Sequence, residues 1–283
     1  NASACSVAFT EQALLQLTMP RSCHSSNLTK LTAGRTGLDH RMGQGWLRLA
    51  LQSLQPQAIL QVEGLHADQK LVALTIDDSP STETARILDM LRDHAATATF
   101  FIHGAKIKGS TEKQLVRRIL EEGHEVGNHM PESVPSIQLK PFEFAEQFER
   151  NHRILLEAEA SPVRFRPSHG VYSRPMAEFM RTKGVELGYR PEFYLGLHLP
   201  WDVLFPIPKW YARHNARAAV PGRIVVFHDN QDRRDLRGMI INQSLRTLAA
   251  LPVFFTELEK QGFEARSLAH VESKTHSLNA QAT

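Results

Sequence analysis

From Leu71 onward the chain alternates short β-branched apolar runs with amphipathic stretches rich in Glu, Arg and Leu, and this alternation constrains the fold most. Runs that are apolar throughout suit strands buried on both faces, as parallel strands are when helices cover them. Candidate strands are 71–77, 98–102, 124–127, 164–166, 186–189, 193–198, 223–228 and 263–267. Candidate helices are 82–94, 112–122, 141–158, 174–183 and 243–261, with Pro141 placed for a first turn and Gly123 and Gly262 for C-caps. The expected architecture is an α/β fold, a distorted (β/α) barrel of about seven strands, with an open doubly wound sheet as the alternative. Residues 1–67 lack a sustained period and read as an N-terminal extension, 68–270 as the main domain and 271–283 as a frayed polar tail.

Charge is nearly balanced, with 33 Lys and Arg against 30 Asp and Glu. Nothing in it resembles a phosphate track, so no nucleic-acid partner is expected. The longest apolar runs fall well short of the roughly 20 residues that span a bilayer. Cys5 and Cys23 precede the main domain without a metal-binding spacing, and a disulfide and two free thiols both fit them.

Four segments carry the chemistry. Asp77 and Asp78 end the first apolar strand, in T-I-D-D-S-P, at the end of a barrel strand where catalytic mouths lie; one carboxylate could hold a metal while the other takes a proton. The plainer reading has one Asp capping the following helix. His129, with Glu132 and Ser133 after it, places oxygen donors within one loop of an imidazole, a set suited to Zn²⁺, Co²⁺ or Mn²⁺. Arg166, in R-F-R-P-S-H-G, could aim a guanidinium at an ionised carboxylate, or form a surface ion pair. His228 ends the run G-R-I-V-V-F-H-D, where a general acid could stand.

In order and spacing these segments resemble the polysaccharide deacetylase (NodB-homology) family, carbohydrate esterase family 4, whose motifs read T-F-D-D-G-P, H-(S/T)-x-x-H, R-x-P-(P/Y)-(Y/W/G) and L-x-H-x. The similarity runs over residues 70–268 and takes in the A-T-F-F-I strand at 98–102, G-H-E-V-G-N-H at 123–129 and the closing helix at 247–262. The resemblance implies a metal-dependent hydrolase that removes acetyl groups from N-acetylated or O-acetylated sugars. A metal-deficient glycan binder and a cyclic amide hydrolase on the same fold are the alternatives. It implies Asp77 as general base, Arg166 as its tether, Asp78 and His129 as ligands of a divalent ion, Zn²⁺ foremost, and His228 as the acid that protonates the leaving amine. Asp202 is implied as the partner of His228, and Trp201, Pro167 and His169 as the lining of the sugar groove. By the same analogy the protein is expected to be secreted, periplasmic or at the cell surface. Ser133 departs from the pattern, standing where the family has its second metal-binding His, so that Glu132, Ser133 or water would have to complete the site; Ser79 replaces the usual Gly.

Overall fold

The computed structural model describes residues 55–196, 208–230, 233–234 and 240–279. Strands β2 (Leu71–Ser79), β3 (Thr99–Ile102), β4 (Glu125–Asn128) and β6 (Ile224–His228) form a parallel sheet in the order β4-β3-β2-β6, with β7 (Glu264–Arg266) pairing the start of β2. Single parallel bridges carry the ring from Asn128 to Phe165 and from Phe165 to Phe193 in β5 (Phe193–Tyr194). Strand β5 pairs β1 (Ala58–Ile59), and Gln61 bridges back to Arg223 ahead of β6. Seven chain segments thus follow one another around a distorted barrel, in agreement with the sequence reading.

Both faces of β2 are buried, and its side chains divide between two cores. Leu74 and Ile76 face a helical layer of α1 (Thr84–Asp93), α2 (Ser110–Glu121), α5 (Pro208–Arg217) and α6 (Gln243–Glu259). Ala73 packs inside the barrel with Phe101, Tyr194 and Val226. A third cluster, with Phe144, Phe148, Phe165 and Met180, lies under α3 (Pro141–Glu157) and α4 (Arg174–Phe179). Among the described residues no helix is long and apolar enough to cross a membrane.

The expected C-caps are present. Gly123 and Gly262, at φ +79° and +71°, each end a helix with the paired bonds of a Schellman motif, as in His124 N–H to Ile119 O and Gly123 N–H to Leu120 O.

Three expectations are corrected. Residues 186–189 are not a strand: the α4 helix runs on through a wider turn at Met180–Gly184 and stops at Gly188, φ +88°, with Tyr189 N–H bonded to Gly184 O. The alternation of Val185, Leu187 and Tyr189 imitates a strand, but the helical ladder before it continues. The boundary at residue 68 is also too late, because Ala58, Leu60 and Val62 are core residues. The tail is not frayed through 279, since α7 (Leu268–Asn279) plugs one end of the barrel with Leu268 and Val271, both fully buried.

Helix α7 is anchored by charge as well. The Arg164 guanidinium, 2% exposed, reaches Glu272 at 2.5 Å and also pairs with Glu125, while Arg190 meets Glu272 at 2.8 Å. Removing Arg164 leaves two carboxylates in a region mostly closed to water, so Arg164→Ala is expected to cost about 3–5 kcal/mol, read as a shift in the denaturant midpoint.

His124 gives the fold a pH dependence. Its Nδ1 accepts the Ala98 N–H at 3.2 Å, which fixes the neutral ring, and burial pushes its pKa from 6.5 down to about 4. The unfolded chain therefore binds a proton that the folded one refuses. Stability is expected to be full above pH 6.5, to fall as pH drops toward 4, and to lose at most about 3 kcal/mol from this group. The slope should flatten in His124→Gln when unfolding is followed across that range.

Candidate active site

The strand ends on one side of the barrel gather the chemistry. A strand turns successive side chains to opposite faces, so Asp77 and Asp78 could not share the mouth of an uninterrupted β2. The β2–β3 register slips between Asp77 and Ser79, and Asp78 adopts a left-handed backbone, φ 66°. This bulge brings both carboxylates to the mouth.

Strand order does the rest. Because β3 lies between β2 and β4, the residues just past Ile102 and Asn128 come level with Asp78. Those residues are His103 and His129. One donor atom from each of Asp78, His103 and His129 lies within 4.8 Å of the others, and all three side chains are buried. Asp78 Oδ1 is 2.8 Å from His103 Nε2 and 3.5 Å from His129 Nε2. The imidazoles stack at 4.6 Å between centroids.

The far nitrogens decide what this cluster can bind. His103 Nδ1 lies 3.1 Å from Met130 O, and His129 Nδ1 lies 2.8 Å from Arg166 O. A carbonyl only accepts, so each Nδ1 carries the hydrogen and each Nε2 presents a lone pair toward the Asp78 carboxylate. Three electron-pair donors cannot converge in a buried site without a proton or a cation between them. A backbone carbonyl on the distal nitrogen is also the usual support of a metal-ligating histidine. Donors of a first-row ion lie roughly 3–3.5 Å apart, and the two separations from Asp78 are close to that. The residues fit a divalent metal.

Local electrostatics agree. Burial alone would raise the Asp78 carboxyl, but with a proton rather than a metal ion between the three groups, hydrogen bonds from His103 and His129 outweigh it and hold the pKa well below the ordinary carboxylate value, so the site favours positive charge at this point. Burial pushes the His103 pKa down against the hydrogen bond to Asp78, and the charge of His129 pushes the same way. The second Asp78 oxygen accepts from Asn230 at 3.1 Å. Asn151 from α3 holds the backbone on both sides of His103, accepting from Gly104 N–H at 2.8 Å and donating to Ile102 O at 3.2 Å.

Asp77 is gripped separately. Arg166 Nη1 donates to Asp77 Oδ1 at 2.5 Å and to Thr75 Oγ1 at 2.9 Å, and its guanidinium lies 4.2 Å over the Phe101 ring. The other Asp77 oxygen is 3.8 Å from His129 Nε2. His228, half-buried, stands opposite Asp77 in the β2–β6 register.

Of the residues singled out from sequence, the structure brings Asp77, Asp78, His129, Arg166 and His228 to one end of the barrel. It does not bring Glu132 into the metal-capable group, and both Glu132 and Ser133 are exposed. The third donor is His103, which the sequence reading missed. Pro167 is buried, and His169 is exposed on a left-handed backbone, φ 64°, beside Ser168, whose hydroxyl donates to His129 O at 3.0 Å. Trp201 and Asp202 lie outside the described residues.

Comparison with known proteins points the same way. The polysaccharide deacetylase family model matches residues 65–188. A peptidoglycan-N-acetylglucosamine deacetylase of Bacillus cereus is 30% identical over 197 residues, covering 69% of this chain and 85% of the relative. A chitooligosaccharide deacetylase of Bradyrhizobium is 28% identical over 209 residues, covering 70% and 88%. Among solved structures, a carbohydrate esterase family 4 acetyl xylan esterase of Clostridium thermocellum, in complex with a cobalt ion, superposes with a TM-score of 0.60 at 25% identity, covering 72% of this chain and 91% of that one. A mutant of a Bacillus anthracis family 4 pseudoenzyme with restored activity gives 0.62 at 25% identity, covering 79% and 74%. The motif segments, the barrel that carries them and these relatives together show that the chain belongs to the polysaccharide deacetylase family, carbohydrate esterase family 4.

Proposed function

We propose that the protein is a metal-dependent hydrolase that removes acetyl groups from N-acetylated sugars in a poly- or oligosaccharide. The observation that carries this reading is the convergence of Asp78, His103 and His129 beside an aspartate held by a buried arginine. Two imidazoles and one carboxylate leave coordination positions for water and substrate, and the mixed nitrogen and oxygen set favours Zn²⁺. A bound divalent ion there supplies Lewis-acid polarisation of the acetyl carbonyl.

The remaining work falls to the chain. Asp77, turned toward the mouth by Arg166, takes the proton of the attacking water. His228 delivers a proton to the departing amine nitrogen, without which an amide does not expel its leaving group at neutral pH. Arg166, whose pKa burial lowers but which remains a cation, grips and aims the Asp77 carboxylate. His169, exposed and next to the Ser168 that bonds His129 O, is the residue assigned to the sugar.

His103 supplies the third donor whose loss from the H-(S/T)-x-x-H pattern suggested a metal-deficient glycan binder. The test is acetate release from chitooligosaccharides and peptidoglycan fragments by metal-stripped protein before and after Zn²⁺ or Co²⁺ is added. Metal-restored release supports the reading. Glycan binding without release, with the ion bound, would overturn it.

A further inference from the structure

The carboxylate after His228 has no part in the chemistry above, yet it is among the most enclosed charges in the molecule. Asp229 is fully buried. Among the described residues it is held by hydroxyls alone: Oδ1 accepts from Ser81 Oγ at 2.5 Å, and Oδ2 accepts from Thr84 Oγ1 at 2.5 Å and Ser79 Oγ at 3.1 Å. The three donors are the last residue of β2, a residue of the turn that follows and the first residue of α1. Ser81 Oγ also lies 3.2 Å from Ser244 Oγ at the start of α6.

The location gives this knot its meaning. The β2–β6 ladder ends at the Asp77–His228 pair. Beyond it, one backbone bond from Asp229 N–H to Asp77 O, 2.7 Å, and the Asp229 carboxylate tie the two strand ends together. One end carries Asp77 and Asp78, and the other carries His228. The two carboxyl oxygens accept from all three hydroxyls, so each hydroxyl points inward, which fixes the β2–α1 turn against β6. Ser79 belongs to the same device: it stands where the family pattern has Gly, and only a side chain there can donate to Asp229.

We propose that Asp229 is a positioning residue that sets the separation of the base Asp77 from the acid His228, acting through Ser79, Ser81 and Thr84. The proposal rests on the hydrolase reading for its kinetic consequence. Misplacement of a reacting group by about 1 Å costs on the order of 100-fold in rate.

The experiment compares wild type, Asp229→Ala, Asp229→Asn and Ser79→Gly as full chains loaded with Zn²⁺. It measures kcat and KM on a chitooligosaccharide, Zn²⁺ affinity by calorimetry, and the side-chain ¹⁵N resonances of His228, His103 and His129. In Asp229→Ala, kcat is expected to fall by about 100-fold, with KM and Zn²⁺ affinity little changed and only the His228 resonance displaced. Asp229→Asn, which keeps one acceptor oxygen, should lose less. Ser79→Gly, the mildest change, should lower kcat severalfold, and it carries the test if Asp229→Ala does not fold. A lowered melting temperature with kcat and the His228 resonance unchanged overturns the proposal, and so does Zn²⁺ affinity falling in step with kcat. Wild type inactive on acetylated sugars would sink the hydrolase reading instead; the resonances would then decide the positioning claim, a displaced His228 supporting it and an unmoved one overturning it.

Discussion

His103→Ala is expected to abolish tight binding of Zn²⁺, whereas Ser133→Ala leaves it unchanged. Removing an outer hydrogen-bond partner of a metal ligand costs 10–100-fold in affinity, so loss of a ligand itself should exceed about 100-fold. His103 is held in the ligating orientation by its Nδ1 contact with Met130 O and by Asn151 on the flanking backbone, and the metal-capable group among the described residues is Asp78, His103 and His129. Glu132 and Ser133 are exposed and outside the cluster. Calorimetric titration of metal-stripped protein measures this directly, with far-UV circular dichroism as the check on folding. Undiminished affinity in His103→Ala together with a loss in Ser133→Ala would return the third ligand to the loop after His129.

The sequence made the site legible where chemistry sits at the end of a continuous apolar run. Asp77 and Asp78 follow L-V-A-L-T-I, and His228 follows I-V-V-F, so strand position and residue type pointed together to one end of a parallel barrel. His103 obeys the same rule, following A-T-F-F-I directly. It escaped because its partners, 25 residues before it and 26 after it, meet it only through the order of β2, β3 and β4, which local spacing does not encode. The bulge that turns Asp78 into the mouth was likewise invisible, since it lives in the pairing register rather than in composition. Chain ends were read worst. Residues 58–62 and helix α7 contribute only a few apolar side chains each, too few to show a period, yet Leu60, Leu268 and Val271 are buried against the barrel.

Asp77→Asn is expected to lower kcat by about 10³–10⁴-fold while leaving Zn²⁺ affinity within a small factor of wild type. A positioned general base contributes about 10²–10⁴-fold, and an amide cannot take the proton of an attacking water. The substitution is nearly isosteric and keeps an oxygen to accept from Arg166, so the pair at 2.5 Å can persist as a hydrogen bond from the guanidinium to an uncharged amide oxygen. Asp77 also stays apart from the metal donors, its nearer oxygen 3.8 Å from His129 Nε2, while Asp78 makes the short contact to His103. Turnover and metal binding should therefore separate, because the first depends on Asp77 and the second on Asp78, one residue further along the bulge. Steady-state kinetics of acetate release and calorimetry on the same preparation test both halves. Retention of kcat within tenfold would remove Asp77 from the role of base, and a parallel loss of Zn²⁺ affinity would make it a fourth ligand.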